Sequence, residues 1–215
     1  LWGRWGDLKR TGFDALARMT NIAVRGQKLD RLTTGIAFTN STLVLTDTEL
    51  RRPEGRLHTR RLSIDTAKGR IYLTNVHCGI DFMVLPSIIG PKTAKAVSRY
   101  HFLKTPKIVI NGEVSTHRDS EKDSDLHFDL TAPHFHWFKF NFTNATARLD
   151  WVTNRLWIDD FHADFYGGSL DGDLMFDFDP PVGNDFTFDL GYTNAGLRPL
   201  IADLSNPTNR LEGSL

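Results

Sequence analysis

The feature that most constrains the fold is a nearly strict two-residue alternation between Leu170 and Tyr192. Apolar residues occupy one parity of this stretch and aspartates occupy the other. The apolar set is Leu170, Leu174, Phe176, Phe178, Phe186, Phe188, Leu190 and Tyr192, and the acidic set is Asp171, Asp173, Asp177, Asp179, Asp185 and Asp189. Because side chains of a strand point alternately to its two faces, the pattern predicts an apolar face backed by an acidic one. Something has to cover the apolar face of such a sheet.

The two apolar runs are separated by the segment 179–184, which reads DPPVGN. Its two prolines cannot supply N–H groups to a ladder, and Gly183 permits a positive φ. We therefore predict that the chain reverses here and pairs the two runs as antiparallel strands.

The same alternation recurs earlier in the chain. In the stretch 35–47, Ile36 and Phe38 precede a Thr-Asn-Ser turn signal and Leu43 and Leu45 follow it, which predicts a hairpin. Gly55 marks a further bend, and more strands are predicted in the stretches 69–81, 106–114 and 125–165.

Helical patterns are few. Ser87 to Leu103 is the best helix candidate, with Pro91 at a tolerated first-turn position. A second, short helix is predicted over Leu197 to Leu204, before Asn206-Pro207. The stretch 13–32 is ambiguous: its first half fits a helical turn and its second half fits a strand. Residues 1–10 show no period and are predicted to be a linker or a frayed edge.

Composition and charge exclude several classes of protein. The 26 basic and 26 acidic residues cancel, which argues against a general polyanion binder, and we expect no nucleic acid partner. The signs are separated, however, because aspartates crowd the second half and six arginines crowd part of the first half. These are Arg51, Arg52, Arg56, Arg60, Arg61 and Arg70. Solvated strand faces of opposite sign would explain this distribution.

The single cysteine, Cys78, excludes an intrachain disulfide and is expected to be a small buried residue. The longest apolar run, 80–90, is broken by Pro86 and is too short to span a bilayer. The chain opens at Leu1 without a signal peptide, so we interpret it as part of a longer protein whose anchor lies elsewhere.

An internal repeat becomes visible when the chain is shifted by 113 residues against itself, so that 35–57 aligns with 148–170. Ile36 then meets Leu149, and Gly55 meets Gly168. We interpret 1–215 as one continuous segment of a repeat array. Its parts would be a first partial repeat ending in a helix, 1–105, a second repeat ending in a short helix, 106–205, and the start of the next repeat, 206–215. Long repeats of this kind predict an elongated array.

These patterns resemble a known family. The hairpins, the motif FYGGSLDGDL from Phe165 to Leu174, the motif GLRPLIADL and the final RLEGSL are similar to the C-terminal repeats of the AsmA-like family, which includes the TamB and YhdP groups and is akin to bridge-like lipid transfer proteins. The resemblance covers about 132–215 and, through the repeat, more weakly 35–114.

The resemblance implies a fold and a function. The fold class would be mainly β: a curved antiparallel sheet of repeated hairpins that forms an elongated open groove, with one or two short helices. The protein would lie in the periplasm, anchored in the inner membrane through a segment not present here. Its groove would conduct phospholipids between the inner and outer membranes during outer-membrane biogenesis, with acyl chains as its ligand.

The residues themselves favour the same function, because apolar side chains facing water are unfavourable and acyl chains bind through area more than through directed hydrogen bonds. The residues predicted to contact lipid are Phe138, Phe140, Phe142, Leu156, Ile158, Leu170, Leu174, Phe176, Phe178, Phe186, Phe188 and Leu190. The alternative is a structural or scaffolding module that binds protein partners, whose aromatic face is an ordinary packed core filled by its own helices.

We expect neither a catalytic site nor a metal site in this chain. His134 and His136 share a strand face, and His127 and His162 could join them, but only the pair is demonstrable and a metal needs three or four ligands. Asp159, Asp160 and Asp164 could serve a carbohydrate-active enzyme, yet aspartates are plentiful on these strands. We therefore predict no enzyme activity, no catalytic residue, no metal and no cofactor.

Overall fold

The computed structural model describes residues 2–3, 11–24, 27–80, 100–116, 124–137, 139–180 and 185–204. Thirteen strands and one helix are found in these residues. The strands are β1 Trp2–Gly3, β2 Thr11–Val24, β3 Gln27–Thr39, β4 Thr42–Arg52, β5 Gly55–Asp65, β6 Arg70–Cys78, β7 Tyr100–Phe102, β8 Lys107–Ser115, β9 Asp125–Trp137, β10 Phe140–Val152, β11 Arg155–Phe165, β12 Gly168–Asp177 and β13 Asp185–Thr193, and the helix α1 is Leu197–Leu204.

The strands form one antiparallel sheet built almost entirely of sequential neighbours. Its order is β1-β2-β3-β4-β5-β6-β8-β9-β10-β11-β12-β13, and β7 pairs with β9. The structure is 78% strand, and the sheet is open because its two outermost strands do not pair with each other. The predicted fold class, a mainly β chain of antiparallel hairpins with a short helix, is confirmed.

The predicted pairing of the two apolar runs is also confirmed. In the register of β12 with β13, Phe176 faces Phe186, and Leu174 faces Phe188. Asp177 faces Asp185 in the same register, so the aspartates share the opposite side. The Pro-Gly segment that links the runs lies mostly outside the described residues, at 181–184.

The 113-residue repeat is visible in the backbone of two hairpins. The β3–β4 hairpin turns at Asn40, and the β10–β11 hairpin turns at Thr153, both with positive φ. Each hairpin then carries a left-handed residue in its second strand, Asp47 in β4 and Asp160 in β11, again 113 positions apart. The division of the chain at residues 105 and 205 stays a prediction.

Residues with a left-handed backbone conformation recur near the middle of several strands. They bend the sheet along a line that we call the crease. The φ angles lie between 46° and 52° at Asn21, Asp47, Asn75, Asn144 and Asp160. The pairing register shifts beside Asp47, Asn75 and Asp160, as expected for β-bulges. Bulges bend a strand and increase its twist, and Asn and Asp tolerate the left-handed region better than most residues. A row of such residues therefore curves the sheet across its strands.

Three predictions need correction. The expected helical turn after Phe13 is wrong, because this part of β2 is a strand and the period-two set Phe13, Ala15, Ala17, Met19 pairs with β3. Cross-strand packing overrides the helix propensity of its Ala, Leu and Arg residues. The expected frayed edge at 1–10 contains β1, which pairs with β2.

The helix expected from Ser87 to Leu103 is also wrong at its end, where Tyr100–Phe102 forms β7. The remainder of that stretch lies outside the described residues, as does RLEGSL at 210–215. The short helix predicted over Leu197–Leu204 is confirmed as α1.

Candidate functional site

The candidate site is the apolar face of the sheet, which continues across the two halves of the chain. One unbroken cross-strand row of eleven residues crosses it from β2 to β13, and each member directly faces the next. The row is Ala15, Ile36, Leu45, Leu62, Leu73, Gly112, Leu126, Trp151, Leu156, Phe176 and Phe186. We call it the central row. At about 4.8 Å between neighbouring strands it is about 50 Å long.

A second apolar row runs beside the central row in the later strands. It consists of Val76, Ile110, Phe128, Leu149, Ile158, Leu174 and Phe188, each facing the next. Two rows side by side give the face both length and width, so it is a band of apolar side chains and not a single file.

Small residues line the crease on this face and are buried. In the first half of the chain these buried small residues are Thr34, Thr48 and Thr59. In the second half they are Ala132, Ala145 and Ala163. The threonine hydroxyls are satisfied internally, because Thr34 Oγ1 lies 2.8 Å from Thr48 Oγ1 and Thr59 Oγ1 donates to Thr74 O at 2.9 Å. These small, hydrogen-bonded or apolar side chains therefore lie between the larger apolar side chains of this face.

Aromatic side chains dominate the second half of the face. The rings of Phe135 and Phe142 are stacked with centroids 4.9 Å apart, and those of Phe142 and Phe165 are 5.3 Å apart. These three rings are buried, together with Leu170. Toward the last strand the rings become exposed, since Phe186 is 55% accessible and Phe188 is 63% accessible.

Helix α1 caps one part of the face. Leu200 packs against the cluster that contains Phe165 and Leu170. The hydroxyl of Tyr166 donates to Asp203 Oδ2 at 2.5 Å and accepts from the Asn141 backbone N–H at 3.2 Å. Burial and the hydrogen bond to Asp203 raise the pKa of Tyr166 to about 12, so the phenol stays protonated and holds the helix.

The structure places eleven of the predicted lipid-contacting residues on this one face. They are Phe140, Phe142, Leu156, Ile158, Leu170, Leu174, Phe176, Phe178, Phe186, Phe188 and Leu190. The twelfth, Phe138, lies outside the described residues. That these side chains contact lipid stays a prediction.

Sequence reasoning missed other members of the face, including Phe135, Phe165 and the whole first half of the central row. The bulge at Asp160 explains the omission of Phe165. The register shifts there, so Ile158 and Phe161 share a face although they are three positions apart. A strict period of two therefore assigns Phe161 and Phe165 to the wrong side.

Polar residues weighed for metal binding are held in separate contacts on the opposite face. His134 Nε2 lies 2.9 Å from Asn141 Oδ1, and His162 Nδ1 lies 2.5 Å from Asp171 Oδ1. His127 lies between Asp150 and Asp125, and the hydrogen bond to Asp150 raises the pKa of His127. Within the described ranges no three His, Cys, Asp or Glu side chains are arranged to hold a metal ion.

The aspartates weighed for glycoside hydrolysis are also partnered or dispersed. Asp160 forms an ion pair with Arg148, and Asp164 accepts from Asn144 Nδ2 at 2.6 Å. Burial, followed by the charges of Asp173 and Asp150, raises the pKa of Asp159. A polar cavity of about 350 Å³ adjoins Asp159 and is lined by Asn111, His127, Phe128, Asp129, Arg148, Asp150 and Asp159.

Comparisons with known proteins leave the resemblance as a prediction. No protein-family description, curated protein or solved structure matches the chain. Among the described residues, no helix has the length and apolar character needed to cross a membrane.

Proposed function

We propose that this chain is a segment of a cell-envelope protein whose apolar sheet face conducts phospholipids between membranes. The observation that carries the proposal is the central row, in which every residue from β2 to β13 is apolar or glycine. A core of a compact domain needs apolar contacts around a centre. A row that crosses the whole sheet in one direction instead provides a path.

The dimensions of the central row suit acyl chains. One acyl chain spans about half of a hydrocarbon core that is ~30 Å thick, so a row of about 50 Å is long enough for several lipids in succession. Acyl chains bind through buried area, and the crease with its small buried residues supplies a concave surface for them.

The exposure of the last aromatic residues supports a ligand more than a closed core. Burying a large apolar side chain is worth about 1.5–3 kcal/mol, so leaving Phe186 and Phe188 largely accessible forgoes a large part of two such contributions. The scaffolding alternative requires these rings to be covered by the chain's own helices. In the described residues α1 contacts the cluster around Phe165 instead.

The cellular setting rests on the resemblance of 132–215 to the AsmA-like repeats. In that setting the chain lies in the periplasm, its lipids pass between the inner and outer membranes, and further parts of the protein contact the membranes. Phospholipid acyl chains are the ligand, and the account requires no catalytic group.

Site-specific photo-crosslinking in cells tests the proposal. A photo-reactive residue at Phe188 should give lipid adducts, whereas the same residue at Thr187 should not. The two positions are adjacent in β13 and point to opposite faces, since Phe188 faces Leu174 and Thr187 faces Met175. Equal adducts at both positions, or none at Phe188 in a correctly incorporated protein, would contradict lipid passage along this face.

A further inference from the structure

Three arginines lie in direct cross-strand register on the polar face of the first half. Arg31 in β3 faces Arg51 in β4, and Arg51 faces Arg56 in β5. All three are exposed. Like charges placed directly opposite each other on adjacent strands are unfavourable, so the fold tolerates a local electrostatic cost here. We call these residues the arginine row.

One carboxylate partly compensates the arginine row. Arg51 Nε donates to Glu49 Oε1 at 2.7 Å. That hydrogen bond lowers the pKa of Glu49, and the charges of Arg51, Arg56 and Arg31 lower it further. The three guanidinium groups are therefore close enough to act on one anionic group. Within the described chain, neither Arg31 nor Arg56 forms an ion pair of its own, which leaves two positive charges in excess.

The next row along the strands is compatible with a bound anion. His58 and His77 are stacked with centroids 4.5 Å apart. Desolvation, followed by the charges of His77 and Arg56, lowers the pKa of His58, so this ring is neutral near neutral pH. A neutral imidazole can donate an N–H without adding a further positive charge.

We propose that Arg31, Arg51 and Arg56 form a binding site for a phosphate-bearing ligand. Two excess charges match a phosphate group that carries one or two negative charges, and planar guanidinium groups bind phosphate oxygens through paired N–H donors. The Cα atoms of facing residues on neighbouring strands lie about 5 Å apart, and the long arginine side chains let more than one arginine reach a single phosphate. Because the arginine row lies on the face opposite the central row, the site does not depend on lipid passage along the groove.

The phosphate could come from a soluble ligand or from a lipid headgroup, and two probes distinguish these sources. Calorimetric titration with inorganic phosphate measures the soluble form. Flotation with vesicles of phosphatidylcholine and phosphatidylglycerol in equal parts, against vesicles of phosphatidylcholine alone, measures the headgroup form.

Four variants test the proposal, and one of them is a matched control. Arg31→Gln and Arg51→Gln should weaken binding by about three- to tenfold, the range expected for an exposed charged hydrogen bond. Arg148→Gln removes another exposed arginine from the same face, one that is paired with Asp160, and should change binding little. Glu49→Gln removes the competing carboxylate and should strengthen binding.

Thermal melting separates a binding effect from misfolding, because Arg31→Gln relieves like-charge repulsion without breaking an ion pair and should not lower the melting temperature. If the protein binds phosphate but no vesicles, the ligand is soluble. If it binds both kinds of vesicle, or the anionic kind alone, and phosphate competes with that binding, the ligand is a lipid headgroup. The proposal is overturned if neither probe binds, if Arg148→Gln weakens binding as much as Arg51→Gln, or if Glu49→Gln fails to strengthen it.

Discussion

Gly172 shows how one residue supports the curved sheet. Its φ is 145°, and a Cβ at this position would lie 1.9 Å from the Asp189 carbonyl oxygen on β13. Only glycine adopts this conformation at such a distance without displacing the neighbouring strand. The residue faces Leu190 on β13 and lies opposite the bulge of β11, so the close approach belongs to the crease.

We predict that Gly172→Ala lowers the free energy of unfolding by about 1–3 kcal/mol, because the strain falls on backbone atoms that cannot rotate away. Gly191→Ala is the matched control in β13, where a Cβ would meet nothing within 4 Å. That variant should be neutral or slightly stabilising. Chemical denaturation of both variants measures the difference, and equal stabilities would contradict the close approach at Gly172.

Residue-scale features of this kind are the least accessible to sequence reasoning. The two-residue alternation placed Phe176, Phe186 and Phe188 on the correct face because β12 and β13 pair without a register shift. It failed at Phe161 and Phe165 because a left-handed residue at Asp160 changes the side to which the following residues point. Nothing in a single Asp-Asp pair distinguishes a bulge from a regular strand.

At the scale of elements, the side chain of Tyr166 links α1 to the sheet. Tyr166 follows β11, donates to Asp203 in α1 and accepts from the Asn141 N–H in β10. The phenol thus links three elements through a single oxygen. Leu200 adds an apolar contact beside it.

We predict that Tyr166→Phe loosens α1, because it leaves the Asp203 carboxylate without this donor and the Asn141 N–H without this acceptor. The free energy of unfolding should fall by about 1–3 kcal/mol. Hydrogen exchange should become faster in Leu197–Leu204, while the exposed Tyr192→Phe control should leave it unchanged. Identical exchange in the wild type and both variants would show that Tyr166 does not hold the helix.

Elements were more predictable than their boundaries and bulges. The hairpin around Asn40, the pair β12 and β13 and the helix Leu197–Leu204 all follow from short-range periodicity and turn residues. The extended conformation of β2 does not, because its Ala, Leu and Arg residues favour a helix in isolation. Pairing with β3 decides its conformation, and that contact is not local.

At the scale of the whole molecule, the continuity of the apolar face was beyond the reach of the sequence. The predicted site covered residues of the second half only. Register joins Ile36, Leu45 and Leu62 to that site through Leu73 and Gly112, although these strands come from different parts of the chain. Because bulges shift four of the registers that join these strands, the row is recognised only once the strands are paired.

The polar face has a complementary organisation at this scale. The arginine row lies in the first half, and aspartate pairs such as Asp173 with Asp189 lie in the last strands. The two ends of the polar face therefore carry opposite charge, while the central row on the other face is apolar or glycine along its length. This separation explains how a chain with balanced charge can still present a local basic site.

Continuity of the central row is the claim on which the proposed lipid passage depends, and interrupting it gives the most direct test. Leu62→Glu places a charge in the central row, whereas Ser63→Glu places the same charge on the opposite face one residue later. The measurement is mass spectrometry of lipids extracted from each purified, folded protein. The account predicts phospholipid with the wild type and with Ser63→Glu, and a clear loss with Leu62→Glu. Equal phospholipid in all three, or none in the wild type, would contradict it.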